Sequence, residues 1–277
     1  MKRLIILAVY CFGTVFCDMS GECDFVSFYQ ELGCTAIPND DNTTCPKEFD
    51  CPDLHPNPNM CYYRGVEYAD RATIPMDLVK NPCALGCVCS IDSGPRFDCA
   101  AVDCVENFDP DKQECIYTFS LDSCCSTGEV CGKDAVASLK TCEADGKTYK
   151  EGQYFEPANS RKKCVCTADW NGCYDDPTTC SDINCGLEIY NQKNIMDKCA
   201  PVFVKNAKSC PFSFQCPSAK TKIIKGINLR GIQSQCVFGN LTLNVGDEVV
   251  GDDSCTKCSC EVPPFMTCVK TTYSCPN

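Results

Sequence analysis

Beyond its first seventeen residues the chain has no long apolar run. Hydrophobic positions come in short β-type clusters, such as Cys115, Ile116, Tyr117, Thr118, Phe119 or Val202, Phe203, Val204, and no window keeps a helical period. Glycine-led runs at Gly65–Tyr68 and Gly146–Tyr149, and the residues after each Cys-x-Cys, predict strands of small antiparallel sheets. The stretches between are expected to be mostly loops.

The exception is the start of the chain. Lys2 and Arg3 precede an apolar run from Leu4 to Phe16, short for a membrane span but of signal-peptide length. Val15 and Cys17 are small enough to flank a cut before Asp18, so residues 1–17 are expected to be a signal peptide, with a signal anchor as the competing reading. No later stretch approaches 18 apolar residues, and the end of the chain is polar, so neither a membrane span nor a lipid anchor is expected.

Composition narrows the class sharply. Of 277 residues, 31 are cysteine, a share that marks a disulfide scaffold made in an oxidising compartment. Secretion to the extracellular space is the expected localisation. A zinc reading of Cys255-x-x-Cys258-x-Cys260 is the rival in a reducing compartment. The net charge of -12 argues against duplex nucleic acid, which asks for a basic face. The one histidine, His55, lies in a Pro-rich stretch, so no Ser-His-Asp, Cys-His or multi-His metal site can be built without it. Cysteine density points to several small units rather than one large core.

The cysteine spacings divide the chain. A complete unit, residues 61–131, carries Cys61, Cys83, Cys87, Cys89, Cys99, Cys104, Cys115, Cys124, Cys125 and Cys131. A second, 142–216, carries Cys142, Cys164, Cys166, Cys173, Cys180, Cys185, Cys199, Cys210 and Cys216. They share Cys-x-Cys, then Cys-x4-Cys, then a closing six-residue step. Residues 236–277 repeat only the front half, with Cys236, Cys255, Cys258, Cys260, Cys268 and Cys275. Residues 18–51 repeat only the back half, since Cys23, Cys34, Cys45 and Cys51 step by 11, 11 and 6 where Cys104, Cys115, Cys125 and Cys131 step by 11, 10 and 6. Residues 52–60 read as a Pro-rich linker and 217–235 as a longer, flexible basic linker.

The second unit opens Cys142-x3-Gly146-x2-Tyr149-x2-Gly152-x2-Phe155 and reaches Cys164-Val165-Cys166; the first opens Cys61-x3-Gly65-x2-Tyr68 and ends in the Cys124-Cys125 doublet. The third has Leu243-x2-Gly246-x2-Val249 before its Cys255-x2-Cys258-x-Cys260. This pattern resembles the von Willebrand factor type C module of chordin-like and crossveinless-like extracellular proteins. The resemblance covers nearly all of residues 18–277. It departs at Cys83-x3-Cys87, one residue longer than usual, and at the second unit, where Ser160 and Ser209 stand near the places of Cys83 and Cys124. The expected fold is an elongated tandem array of small disulfide-rich modules, mostly β and irregular, with short antiparallel sheets.

The resemblance implies the pairs Cys61–Cys89, Cys83–Cys124, Cys87–Cys99, Cys104–Cys125 and Cys115–Cys131. Loss of both Cys83 and Cys124 equivalents from the second unit leaves no orphan, as that pairing requires. The isolated N-terminal half closes on itself as Cys23–Cys45 and Cys34–Cys51. The second unit then follows as Cys142–Cys166, Cys164–Cys180, Cys185–Cys210 and Cys199–Cys216, and the third as Cys236–Cys260 and Cys258–Cys268. Cys255 and Cys275, both without their usual partners, are expected to join each other. Cys173 is left over, to be unpaired or intermolecular, linking a homodimer, or else bonded inside its own unit at the expense of another pair.

No catalytic constellation, metal set or cofactor motif is legible, and no enzyme activity is expected. Asp175-Asp176 and Asp252-Asp253 read as solvated turns. Asn42 and Asn240 head N-x-[ST] sequons. Residues 198–246 hold seven basic residues and no acid, among them Lys220, Lys222, Lys225 and Arg230, a candidate surface for a sulfated polysaccharide or else a solvated linker. The resemblance implies a modulator that binds an extracellular protein ligand, a growth factor of the bone morphogenetic protein/TGF-beta class. A matrix or structural protein, and a protease-inhibitor or defence protein, are the alternatives.

Overall fold

The protein is seen in a computed structural model that describes residues 25–39, 45–52, 57, 59–108, 114–158, 160–204, 210–228, 231–250 and 255–271. It is built from small disulfide-rich modules of short antiparallel strands and irregular segments. The same hairpin starts three of them. Met60–Tyr63 pairs with Val66–Ala69, Thr141–Ala144 with Lys147–Lys150, and Gln235–Phe238 with Leu241–Asn244. Each turns through two residues, Arg64-Gly65, Asp145-Gly146 and Gly239-Asn240. In the first two turns both residues take positive φ, the geometry that matches strand twist and that glycine enters without strain.

A second hairpin follows in each module and carries a cross-strand disulfide. Cys87 faces Cys99, Cys164 faces Cys180 and Cys258 faces Cys268, and each facing pair is bonded. The first cysteine of each starting hairpin reaches across to this second one, as Cys61–Cys89, Cys142–Cys166 and Cys236–Cys260. These sulfurs are buried and form much of each small core: Cys61, Cys164, Cys166, Cys236, Cys258, Cys260 and Cys268 are fully enclosed. Sulfur here stands in for the aliphatic mass that chains of this module size lack.

The back halves also repeat. Cys34–Cys51, Cys115–Cys131 and Cys199–Cys216 each bond at the end of a two-stranded hairpin. These halves are less loop-like than the sequence suggests. Short helices occupy corresponding places, Val26–Glu31, the 3-10 turn Val105–Asn107, and Leu187–Tyr190 with Gln192–Met196. All are too brief for a hydrophobic period to register, and too brief to persist without the packing around them.

Residues 25–51 pack against the later modules. Phe28, Tyr29, Leu32 and Phe49 share a core with Leu187, Ile195, Phe203, Val262 and Phe265. The Tyr29 hydroxyl donates to the Val262 carbonyl at 2.6 Å and accepts from the Phe265 amide, and the Phe49 amide donates to Pro263. Glu31 meets Arg161 and accepts from the amides of Cys185 and Leu187, which closes the start of the helix Leu187–Tyr190. The strand Ala200–Val204 of the second unit lies parallel to Thr267–Lys270 of the third, so the two build one six-stranded sheet.

The segment expected to be a flexible basic linker is part of this architecture. Lys222–Ile224 is the outermost strand of the six-stranded sheet, paired to Glu248–Val250, and Ile232 is buried in the core of the third module. Its local sequence has glycines and charges but also β-branched residues, and tertiary pairing decides between linker and strand.

Candidate functional site

Several exposed apolar side chains of the first module, the three most exposed among them, lie along its stapled second hairpin and the turn after it. Phe97 and Cys89 point inward, so strand alternation turns Val88 outward. Leu85 precedes it on the same strand and Val102, Val105 and Phe108 follow the hairpin, with Val105 at 75% and Phe108 at 76% exposure. The 3-10 turn Val105–Asn107 joins those two side chains, and the amide of Phe108 donates to the Val105 carbonyl. Glu106 on that turn accepts from the amide and hydroxyl of Ser126, which ties the turn to the cysteine doublet. Burial works against its carboxylate, but these hydrogen bonds win and hold it below its ordinary pKa.

Beneath the turn, Cys83–Cys124 and Cys104–Cys125 lie side by side, with the sulfurs of Cys104 and Cys124 3.7 Å apart. Cys104, Cys124 and Cys125 could be mistaken for a metal set by proximity. Disulfide sulfur offers no thiolate, so the group is a double staple rather than a ligand cluster. The same chemistry removes the zinc reading of Cys255, Cys258 and Cys260, all of which are disulfide-bonded.

Comparison with protein families, curated proteins and solved structures returned no match for this chain.

The remaining candidates distribute as follows. Cys185–Cys210 completes the pairs that lie wholly within the described residues, twelve in number, and each joins the cysteines the resemblance implies. Cys45 and Cys255 are disulfide-bonded; Cys23 and Cys275, their expected partners, lie outside the described residues. Cys173, expected to be unpaired, intermolecular or bonded inside its own unit, is disulfide-bonded as well. No second-unit pair is displaced: Cys142, Cys164, Cys185 and Cys199 keep the partners given above.

The four basic candidates fall in and around the edge strand Lys222–Ile224 or outside the described residues. Lys225 donates to Asp247 at 2.7 Å, while Lys220 and Lys222 are exposed, and Arg230 lies outside the described residues. Asn240 is exposed at the tip of a hairpin, open to a glycosyl acceptor's reaction, and Asn42 lies outside the described residues. Asp176 accepts from the hydroxyl and amide of Thr178, and those bonds lower its pKa, as expected of a turn cap. Asp252-Asp253, residues 1–17, expected to be a signal peptide, and His55 fall outside the described residues. No helix among the described residues is long and apolar enough to cross a membrane.

Sequence reasoning missed three buried or half-buried carboxylates that organise the structure, Glu31, Glu188 and Asp247. Glu188 is 4% exposed and accepts from the Arg64 amide at 2.9 Å; next to it, Gln192 accepts from the Tyr62 amide. The pair docks the first module's hairpin on the helices of the second. Nothing in a charge tally separates these residues from thirty-odd solvated acids; only Glu188 and Gln192, spaced four apart in a stretch with Ile189 and Ile195, carried a faint helical signal.

Proposed function

We propose that the chain is a secreted, non-enzymatic binding protein that grips an extracellular protein ligand, in the first instance a growth factor of the bone morphogenetic protein/TGF-beta class. The observation that carries the reading is the exposed apolar turn of the first module. Val105 and Phe108 stand out from a backbone held by Cys83–Cys124 and Cys104–Cys125, so little ordering entropy is lost when a partner covers them. Large apolar anchors on a rigid base are what binding hot spots require. The dense disulfides fit an oxidising, extracellular setting. The likeness of the cysteine pattern to von Willebrand factor type C modules supplies the ligand class.

The test is surface plasmon resonance of the oxidised full chain against a panel of dimeric cystine-knot growth factors. Saturable binding tighter than about 1 μM, roughly -8 kcal/mol, is the expected result for at least one member. Phe108→Ser and Val105→Asp should each weaken it by tenfold or more while leaving the fold intact. Absence of binding across the panel, or binding indifferent to both substitutions, refutes the assignment.

A further inference from the structure

The six-stranded sheet runs Ser213–Gln215, Ala200–Val204, Thr267–Lys270, Thr256–Ser259, Glu248–Val250 and Lys222–Ile224, so Lys222–Ile224 has no strand on its outer side among the described residues. Strand alternation divides its side chains. Ile223 lies over Val249 and Cys258 on the core face, whereas Lys222 and Ile224 share the other face with Val250. Towards the centre of the sheet that second face is covered, where Phe203 packs against Phe25 and Phe28. At the edge it is not: Ile224 is 50% and Val250 47% exposed, and Ile227 just beyond is 78% exposed.

The strand is also held at one end only by a latch. The Asp247 carboxylate, itself 2% exposed, accepts from Lys225 Nζ, the Gly226 amide and the Asn244 amide. Gly226 and Gly246 sit so close that a methyl group on Gly226 would overlap the Gly246 carbonyl. This latch cancels the charge of Lys225 and fixes the strand, while Lys220 and Lys222 make no ion pair among the described residues. Among the described residues the outcome is a positioned, unpaired strand edge with exposed isoleucines and two lysines without an ion pair, in a protein whose net charge is -12. Natural sheets blunt such edges with charge or cover them, and lysine at an edge repels a like-charged strand but attracts an acidic one.

We propose that Lys222–Ile224 is a docking edge for an extended, acidic, β-branched segment of a partner protein, which adds as a seventh strand. Backbone hydrogen bonds along the edge supply affinity. Lys220 and Lys222 select carboxylates, and Ile224, Val250 and Ile227 receive the partner's apolar side chains on one face. A second copy of this chain is disfavoured as occupant, since it would bring Lys220 and Lys222 against their own duplicates. The inference is independent of the growth-factor assignment, which concerns the first module.

The probe is a capped peptide of alternating glutamate and valine, six residues long, titrated into the oxidised full chain while amide hydrogen exchange is followed. Saturable binding should slow exchange at residues 222–224, weaken with added salt, and fall at least tenfold in Lys222→Glu, a surface substitution whose near-ultraviolet circular dichroism checks the fold. The matching lysine–valine peptide should not bind. Three results overturn the proposal: no binding of the acidic peptide; a heparin oligosaccharide that displaces it with no protection of the 222–224 amides, which marks a polysaccharide surface; or concentration-dependent dimers protected at 222–224 without peptide.

Discussion

Glu188 places a carboxyl group in an apolar setting with one strong donor, the Arg64 amide. Burial is the largest influence on it and the nearby charge of Glu31 adds to it. The Arg64 amide and guanidinium oppose them, and the net result is a pKa pushed up to about 7. The folded chain therefore keeps this proton where the unfolded chain, titrating near 4.5, has lost it. Stability falls as pH rises from about 4.5 to 7 and levels off above, because the unfolded state binds fewer protons across that window. Glu188→Gln keeps an acceptor for Arg64 and removes the titration. Thermal melts at pH 5 and pH 8 should differ less in the variant than in the parent, with a gain at pH 8 of up to a few kcal/mol. Equal pH dependence in both would place the titrating group elsewhere. Tyr29 is likewise a group whose pKa is raised by burial, but its worth lies in its bonds to Val262 and Phe265. Tyr29→Phe strands that carbonyl and amide in the core, and chemical denaturation should register a loss of about 1–3 kcal/mol.

At the scale of elements, the hairpins were the most readable part of the chain. Gly65 and Gly146 each sit at the second turn position of a two-residue loop, and the strand before Gly146, Thr141–Ala144, alternates as a half-buried strand does. The helices were not readable, since a six-residue helix such as Val26–Glu31 shows one turn of pattern and owes its persistence to Phe28 and Tyr29 packing on another module. The strand Lys222–Ile224 was misjudged for a related reason, as its anchor is the Asp247 latch some twenty residues away. That latch has its own pH signature. Burial opposes the Asp247 carboxylate, but donors from Lys225, Gly226 and Asn244 outweigh it and lower its pKa. Its contribution is present above the ordinary aspartate range and is lost as pH falls through the lowered value. In Asp247→Asn, amides of residues 222–226 should exchange faster at neutral pH than in the parent, while those of Thr256–Ser259 stay protected. Uniform loss of protection would show that the latch supports the whole sheet rather than its edge.

At the scale of the molecule, cysteine spacing made an array of small disulfide-rich modules legible, because a disulfide records which chain segments lie within a few ångströms. Contacts between modules leave no such record. Tyr29 on Val262, Glu31 on Arg161 and Glu188 on Arg64 join residues that no spacing relates. A shared core has a consequence for how the chain unfolds. Phe28, Leu187, Phe203 and Phe265 come from three modules yet pack together, so these modules should melt as one unit rather than in sequence. The cores are small, and each native disulfide typically contributes about 2–4 kcal/mol, so full reduction should abolish the near-ultraviolet signal at room temperature. Before reduction no described cysteine of the full chain should be open to attack, Cys173 included, since each is disulfide-bonded. Denaturing the oxidised chain in iodoacetamide without reductant, then weighing it intact, tests this directly: no described cysteine should carry a carbamidomethyl group, and peptide mapping should find Cys173 in a cross-linked fragment of a monomer. A modified Cys173, or a disulfide-linked dimer, would restore the spare thiol and with it a route to covalent assembly.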